Sequence, residues 1–316
     1  MILYKHRKKY KKRIDFSVIK WYSDKVIKIQ TRKGEITMKK ILSLGLSAIM
    51  IAAALTGCGA KKADNSKDFE EVQKNGKMVV GMTLFAPMNY YDDDNNLIGF
   101  DTELANAVGE KLGLEIEFKE INWDSKEIEL NSKNIDCIWN GMCITEERKQ
   151  NMSISNPYLN NTQAMVMKDV NAEKLAKDPK GATIVAEQGS TGEGKITGTI
   201  EDDETVVVSA KEFFKDSNYK AVDSMAKALL EVKAGTADVA LVDSVCAYGM
   251  VGEGTDYPEL VVNIDNNFGA QQYGIAFRKG SNMTEKVNQA IEELTADGTV
   301  AEIAEKYQLT DMLILK

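Results

Sequence analysis

From residue 77 to its end, the sequence predicts an α/β fold with mainly parallel sheets. Short apolar runs of strand length alternate with amphipathic segments of helix length, the order typical of parallel sheets covered by helices. The stretch spans about 240 residues, enough for one large or two modest domains.

The first half of this stretch predicts strands at residues 78–80, 116–118 and 135–139. Between the first two lies a predicted helix over residues 101–112, with Leu104, Val108 and Leu112 on one face. Asp101 is the expected cap at its beginning, because an aspartate there can accept hydrogen bonds from free backbone N–H groups.

The second half continues the alternation of strands and helices. Further strands are predicted at residues 183–186, 205–208, 238–242, 261–264 and 273–277. Helices are predicted at residues 222–232, 286–295 and 300–307.

Residues 38–57 have the organisation of a secretory signal. A basic start is followed by an apolar run over residues 41–55, too short for a comfortable membrane span, and by the letters LTGC at residues 55–58. This ending resembles the lipobox of bacterial lipoproteins, which implies that Cys58 is acylated and anchors the protein outside the cytoplasm. The alternative is a transmembrane anchor with a chance cysteine.

The segments on either side of this signal carry no predicted globular structure. Residues 1–37 are strongly basic, and we interpret them as an upstream extension preceding the true start at Met38; the alternative is a basic arm that binds nucleic acid. Residues 58–76 are polar and are predicted to form a flexible tether from the lipid to the folded part.

Charge and composition exclude several classes of function. Residues 1–58 carry 14 Lys and Arg against 3 Asp and Glu, whereas the rest carries 26 against 45, a formal net charge of −19. Such a domain repels nucleic acid and anionic lipid. The only histidine is His6, so the folded part has no imidazole for acid–base chemistry or zinc, and we expect neither cofactor nor metal.

Three cysteines remain after Cys58, namely Cys137, Cys143 and Cys246. An odd number in an exported protein argues against a disulfide framework.

Two motifs come close to known nucleotide and metal sites but fail. Residues 189–195 (GSTGEGK) fit a phosphate-binding loop, but Ile196 stands where Ser or Thr must bind magnesium, so a helix start facing an anionic group is the better interpretation. The acidic stretch from Asp92 resembles a calcium loop, but Leu97 replaces its glycine, which favours a hairpin turn.

A series of short motifs is specific through its order and spacing. It comprises IGFD at 98–101, IDCIWNGM at 135–142, CITEER at 143–148, SNPY at 155–158, QGSTG at 188–192, GTAD at 235–238 and VDS at 242–244. This set resembles the family 3 solute-binding proteins of ABC importers for polar amino acids, over essentially the whole chain after the tether.

The resemblance implies a periplasmic-binding-protein-like (type II) fold with two α/β lobes and the ligand cleft between them. Lobe 1 would comprise residues 77–163 and 272–316, and lobe 2 residues 164–271. Two extended crossovers, near residues 161–165 and 271–275, would join them.

The resemblance also assigns the contacts to the ligand α-carboxylate. Arg148 matches the arginine that holds this group, and a planar guanidinium can grip a carboxylate with two charge-assisted hydrogen bonds. Cys143 would contribute its backbone N–H, and Ser190 and Thr191 the N–H groups of a lobe 2 loop. Without the motif, a surface salt bridge would be the simpler interpretation of Arg148.

The ammonium and the side chain of the ligand have their own predicted contacts. Asp243 matches the acid that binds the α-ammonium, aided by the carbonyl of Gly141; by local sequence it could equally cap the next helix. The predicted side-chain pocket comprises Phe85, Trp123, Asn140, Met142 and Met82.

The function implied is that of an extracellular substrate-binding component, not an enzyme, which acts as a monomer and delivers a free amino acid to a membrane permease. A zwitterion would satisfy both lobes only when they close, so binding favours the closed state. Met82 stands where binders of basic amino acids often carry aspartate, which favours a neutral polar or sulfur-containing ligand such as glutamine or cystine. A cyclohexadienyl-dehydratase-like enzyme and a sensory module on the same fold are the alternatives.

Overall fold

The computed structural model of the protein describes residues 64–202 and 206–315. The predicted upstream extension at 1–37, the signal at 38–57 and the lipidation site Cys58 lie outside the described residues. Within them, no helix combines the length and the apolar character needed to cross a bilayer.

Strands and helices alternate along the described chain as the apolar pattern predicts. In chain order the elements are α1 (Asp68–Asn75), β1 (Lys77–Met82), β2 (Tyr90–Tyr91), β3 (Leu97–Ile98), α2 (Phe100–Leu112), β4 (Glu115–Glu120), α3 (Lys126–Asn131), β5 (Cys137–Ile138), α4 (Glu146–Asn151), β6 (Met152–Ile154), β7 (Leu159–Lys168), α5 (Asp169–Lys177), β8 (Thr183–Glu187), α6 (Thr191–Thr197), α7 (Ala210–Phe213), β9 (Asn218–Val222), α8 (Met225–Ala234), β10 (Val239–Asp243), α9 (Ser244–Met250), β11 (Leu260–Asn263), β12 (Ala270–Tyr273), β13 (Ala276–Arg278), α10 (Met283–Ala296) and α11 (Thr299–Lys306).

Two separate sheets form the centres of two lobes. The sheet of lobe 1 has the strand order β4-β1-β5-β13-β6, with β1 parallel to β4 and β5 and with β13 antiparallel to its neighbours. The sheet of lobe 2 has the order β11-β7-β10-β8-β9, with β8 parallel to β9 and β10. The predicted two-lobed α/β fold is therefore confirmed.

Two antiparallel strands carry the chain between the lobes. The first part of β7 pairs with β12, placing Leu159 opposite Tyr273 and Thr162 opposite Ala270. The rest of β7 continues into the lobe 2 sheet beside β10. The two crossovers therefore form one hydrogen-bonded ribbon, the element about which the lobes can rotate.

The largest cluster of buried apolar side chains runs through both lobes, from Phe100 and Leu104 of α2 in lobe 1 to Leu229 of α8 in lobe 2. Leu104 and Val108 belong to this cluster, as the periodicity of the predicted helix requires. In lobe 2, Met165 and Leu241 of the central strands pack in one cluster with Phe268.

Three sequence-based assignments of local structure are wrong. Asp101 does not cap α2, since Gly99 occupies the cap position and the Asp101 side chain is buried. Residues 206–208 form an exposed loop rather than a strand, with Val207 94% exposed. Val222 ends β9, and α8 begins three residues later, where the Ser224 hydroxyl accepts a hydrogen bond from the N–H of Lys227.

The predicted tether extends too far, because residues 68–75 form helix α1, which is docked on lobe 1. The buried carboxylate of Asp68 accepts a hydrogen bond of 2.8 Å from Nε of Arg278. The same guanidinium reaches Asp136 at 3.2 Å and the carbonyl of Ile135 at 2.9 Å. α1 thus belongs to the folded part, held by a buried ion pair that sequence reasoning missed.

We expect Arg278→Met to destabilise the protein strongly, because it removes the buried counter-charge of the Asp68 carboxylate and leaves it with the half-exposed Lys133, whose ammonium lies 3.8 Å away. Removing one partner of a buried pair costs about 3–5 kcal/mol in the free energy of unfolding, measurable by denaturant titration. Lys77→Met is the matched control, since Lys77 and Glu117 form an exposed pair and such pairs contribute at most about 1 kcal/mol. Equal losses in the two variants would contradict this role for Arg278.

Candidate ligand-binding site

A small cavity lies where the carboxyl ends of strands from both sheets face each other. From lobe 1 it is lined by residues that follow β1, β4 and β5, and from lobe 2 by the ends of β8 and β10 and the starts of α6 and α8. Its free volume is about 10 Å³, room for about one water molecule, and side chains of lobe 1 contact lobe 2 across it. The lining residues are Phe85, Trp123, Asn140, Gly141, Cys143, Arg148, Glu187, Ser190, Thr191, Met225 and Asp243.

The cavity brings together nine of the eleven predicted site residues. Met142 and Met82 are the two that do not line it, which corrects their placement in the side-chain pocket. Met142 lies between the lining residues Gly141 and Cys143 in the chain, but its side chain is buried with Ile138 and Ala276 in the core of lobe 1. Met82 ends β1 with its side chain fully enclosed.

Arg148 reaches across the cleft from lobe 1. The hydroxyl of Thr145 accepts a hydrogen bond from the Arg148 N–H and thereby begins helix α4. The guanidinium, only 6% exposed, donates to the carbonyl of Cys143 at 2.7 Å and to the carbonyl of Gly189 in lobe 2 at 3.2 Å. These contacts leave further N–H groups of the guanidinium available for a carboxylate. Arg148 is therefore buried and not a surface salt-bridge residue.

Asp243 supplies a buried carboxyl group from lobe 2. It occupies the cap position of α9 but makes no side-chain cap hydrogen bond, so the capping alternative is wrong. Instead it accepts a hydrogen bond of 2.8 Å from the hydroxyl of Tyr273 and another from the amide of Gln163. Burial raises the pKa of this carboxyl group above its usual range, and those two hydrogen bonds and the charge of Arg148 oppose the rise. A cation beside it would favour its ionised form.

Gly141 lies on a segment that is held in place by the buried side chain of Asp101. Its N–H donates to the buried carboxylate of Asp101 at 2.7 Å, and the hydroxyl of Tyr158 donates to the same oxygen at 3.0 Å. Burial raises the pKa of Asp101 to about 7. A side chain at Gly141 would come within 3.0 Å of both Phe85 and Tyr273, so only glycine fits here.

Asn140 has a structural role at the cavity wall. Its amide oxygen accepts from the N–H and the hydroxyl of Thr83, and its amide nitrogen donates to the carbonyl of Thr83 and to Asn89. These four contacts use the full capacity of the amide group. Asn140 therefore shapes the cavity, while Phe85 and Trp123 contribute the aromatic part of its wall.

The loop before α6 forms the lobe 2 wall around Arg148. Ser190 accepts the N–H of Glu193, and the Glu193 carboxylate accepts the N–H of Gly189, which together fix the start of the helix. From lobe 1, Lys126 also donates to the carbonyl of Gly189, at 2.9 Å. Burial, followed by repulsion from Arg148, lowers the pKa of Lys126 to about 7. Sequence reasoning missed Lys126, which looked like an ordinary surface lysine.

Cys143 lies on the boundary between the lobes. Its Sγ is 3.1 Å from Oε1 of Gln271 and 3.7 Å from a carboxylate oxygen of Asp243. Burial raises the pKa of the thiol, and the nearby charge of Asp243 raises it further. The side chain is therefore a neutral packing element rather than a nucleophile.

Glu187 and Met225 line the cavity although sequence reasoning did not select them. Glu187 is the last residue of β8 and directly precedes the QGSTG motif. Its position at the carboxyl end of a predicted strand could have identified it as a site residue, because ligands bind at that end of strands in α/β folds. Met225 is the first residue of α8, where nothing in the local pattern distinguishes it from core.

Comparisons with known proteins bear on the family of the chain. Residues 78–310 match the family model of the bacterial extracellular solute-binding proteins, family 3. The chain is 30% identical to the arginine-binding extracellular protein ArtP of Bacillus subtilis, over 85% of this chain and 98% of that protein. It is 28% identical to the L-cystine-binding protein TcyJ of Escherichia coli K12, over 85% of this chain and 97% of that protein.

A solved structure shares the fold. It is an ABC uptake transporter substrate-binding protein from Streptococcus pneumoniae with bound histidine, 31% identical, with a TM-score of 0.68. The match covers 80% of this chain and 99% of that one.

We expect alkylation of the native protein to reach Cys143 before Cys137 and Cys246. All three thiols are buried with raised pKa values, so each reacts only when the structure opens. Cys143 lies between the lobes, so we expect their separation to expose it, whereas the other two thiols lie in the apolar core and would require unfolding. Iodoacetamide labelling followed by peptide mass mapping measures the order, and uniform labelling of the three thiols would contradict it.

Proposed function

The chain belongs to family 3 of the bacterial extracellular solute-binding proteins, and on that premise we propose that it is the substrate-binding component of an amino acid ABC importer. In this role it captures a free amino acid outside the cell and delivers it to a membrane permease. Relatives whose names specify binding of arginine or cystine support the proposal.

One observation supports this function above all others. A buried guanidinium from lobe 1 and a buried carboxyl group from lobe 2, those of Arg148 and Asp243, line one cavity between the lobes. A free α-amino acid carries a carboxylate and an ammonium on the same carbon and can pair with both groups. Each pairing supplies the counter-charge that a buried ionised group requires.

The mechanism follows from the division of these groups between the lobes. Arg148 with the backbone N–H of Cys143 would hold the α-carboxylate from one side, completed by N–H groups at Ser190 and Thr191 from the other. Asp243 and the carbonyl of Gly141 would hold the ammonium. All contacts form together only when the lobes close, so the ligand stabilises the closed state by its differential contacts there.

The closed state is the form that the permease would recognise, so closure reports that the site is occupied. We propose that the protein acts as a monomer at the outer face of the cell membrane, held by a lipid on Cys58. Residues 58–67 would then form the tether, since α1 already belongs to the folded part.

The ligand would be a neutral polar or sulfur-containing amino acid, with glutamine and cystine as the leading candidates. Met82, at the position where binders of basic amino acids often carry aspartate, brings no carboxylate to the cavity.

We propose that the protein has no catalytic activity. The candidate acids of the cavity, Asp243 and Glu187, are enclosed, and the thiol of Cys143 is held neutral. Turnover of prephenate or arogenate by the purified protein would instead establish the dehydratase alternative.

We expect a single free amino acid to raise the unfolding temperature of the purified protein. A ligand at one hundred times its dissociation constant adds about 2.7 kcal/mol to the free energy of unfolding, because it binds only the native state. A thermal-shift screen of the common amino acids with cystine measures this effect. The proposed function fails if no compound in the panel shifts the transition.

We expect Arg148→Ala to weaken binding by roughly a hundredfold or more, because the buried α-carboxylate would lose its counter-charge. Isothermal titration with the amino acid found in the screen measures the loss. Lys149→Ala is the matched control, since Lys149 lies on the same helix but is exposed and pairs only with Glu146. An unchanged affinity in Arg148→Ala would exclude Arg148 from the site.

A further inference from the structure

The carboxyl group of Glu187 is the buried polar group of the cavity that the proposed zwitterion contacts leave unused. Glu187 is 2% exposed, ends β8 and lines the cavity. Its Oε1 has no hydrogen-bond partner, and among the buried side-chain oxygens and nitrogens that lack a partner in the described part of the chain, it alone belongs to a lining residue.

An unpaired carboxyl group in such a place is unfavourable in isolation. A buried polar group without a partner costs about 1–3 kcal/mol, and an ionised one costs more. Burial, followed by repulsion from Asp243, raises the pKa of Glu187 to about 8. Glu187 is thus a group whose environment improves when a hydrogen-bond donor enters the cavity.

No neighbouring cation already fills this role. Lys126 donates instead to the carbonyls of Trp123 and Gly189, at 3.1 and 2.9 Å. Arg148 donates to the carbonyls of Cys143 and Gly189, and the charges of both residues act on Glu187 without a hydrogen bond. Neither forms an ion pair with Glu187 among the described contacts.

The other polar groups of the cavity are also accounted for. Arg148 and Thr191 face the proposed α-carboxylate, Asp243 faces the ammonium, and the amide of Asn140 is fully used within lobe 1. Glu187 therefore remains for the part of the ligand beyond its α-carbon. The remaining wall is aromatic or thioether surface from Phe85, Trp123 and Met225, which can pack against methylene groups but cannot orient a polar end.

We propose that Glu187 determines specificity by accepting a hydrogen bond from an N–H group at the distal end of the ligand side chain. The inference rests on the proposed function and defines the ligand by the distal group of its side chain, whether that group is neutral or cationic. A carboxamide, a second ammonium group such as that of cystine, or a guanidinium fits this requirement. A thioether, alkyl or carboxylate side chain offers no distal N–H group and leaves Glu187 without a hydrogen-bond donor.

The test compares ligands that differ only in this distal group. Glutamine, glutamate and methionine form one matched set of similar size, and arginine and citrulline separate the contribution of charge. The variants are Glu187→Leu, which removes the acceptor, and Glu187→Gln, which keeps an acceptor oxygen without the charge. Glu147→Gln is the control, since Glu147 is exposed and lies beside Arg148 on α4.

In the wild-type protein, we expect glutamine or another ligand with a distal N–H group to bind at least about tenfold more tightly than methionine and glutamate. In Glu187→Leu, this preference over methionine should fall by about tenfold or more. The affinity for a cationic ligand should also fall by about tenfold in Glu187→Gln, whereas the affinity for a carboxamide ligand should change little. The control should retain the wild-type preference.

The outcomes separate the two proposals. If methionine or glutamate binds best, or if the preference is unchanged in Glu187→Leu, the role of Glu187 is overturned while the amino-acid-binding function stands. If no amino acid binds the wild-type protein, both proposals fall. If Glu187→Leu does not fold, the test uses Glu187→Gln with arginine and citrulline as ligands. The proposal is overturned if the wild type and Glu187→Gln bind arginine equally tightly and also bind citrulline equally tightly.

Discussion

The buried guanidinium of Arg148 is the interaction on which the site depends. A positive charge that is 6% exposed is tolerated only where acceptors surround it, and here they come from both lobes, at Cys143 and Gly189. Lys126 donates to the same carbonyl of Gly189. Two basic side chains of lobe 1 thus contact one loop of lobe 2. If the lobes separated, both groups would be exposed to water. When the lobes are together, both groups need hydrogen-bond acceptors because they are buried.

The two lobes contribute charged groups of opposite sign to the site. Lobe 1 contributes the cations Arg148 and Lys126, whereas lobe 2 contributes the acids Asp243 and Glu187. The proposed zwitterion would complement this division, with its carboxylate facing the cations and its ammonium facing the acids. The hinge ribbon of β7 and β12 lies next to these groups, since Tyr273 on β12 donates to Asp243. The strand that joins the lobes therefore contacts the site directly.

The sequence predicted the order of elements and most of the cavity, because periodicity and motif spacing are local signals. It failed where a long-range contact overrides a local preference. Asp101 was predicted to cap a helix, but its buried side chain accepts hydrogen bonds from Gly141 and Tyr158. Asp68 was assigned to the flexible tether, but it pairs with Arg278, which is 210 residues away in the chain. Glu187 escaped notice for the same reason: its importance arises from an empty hydrogen-bonding position, which no sequence pattern records.

A crystal structure of the protein with a bound amino acid tests the central claim most directly. The account requires the ligand to lie between the lobes, with its carboxylate at hydrogen-bonding distance from the guanidinium of Arg148 and its ammonium equally close to Asp243. A ligand held by one lobe alone, or bound with neither of these side chains in contact, would contradict it.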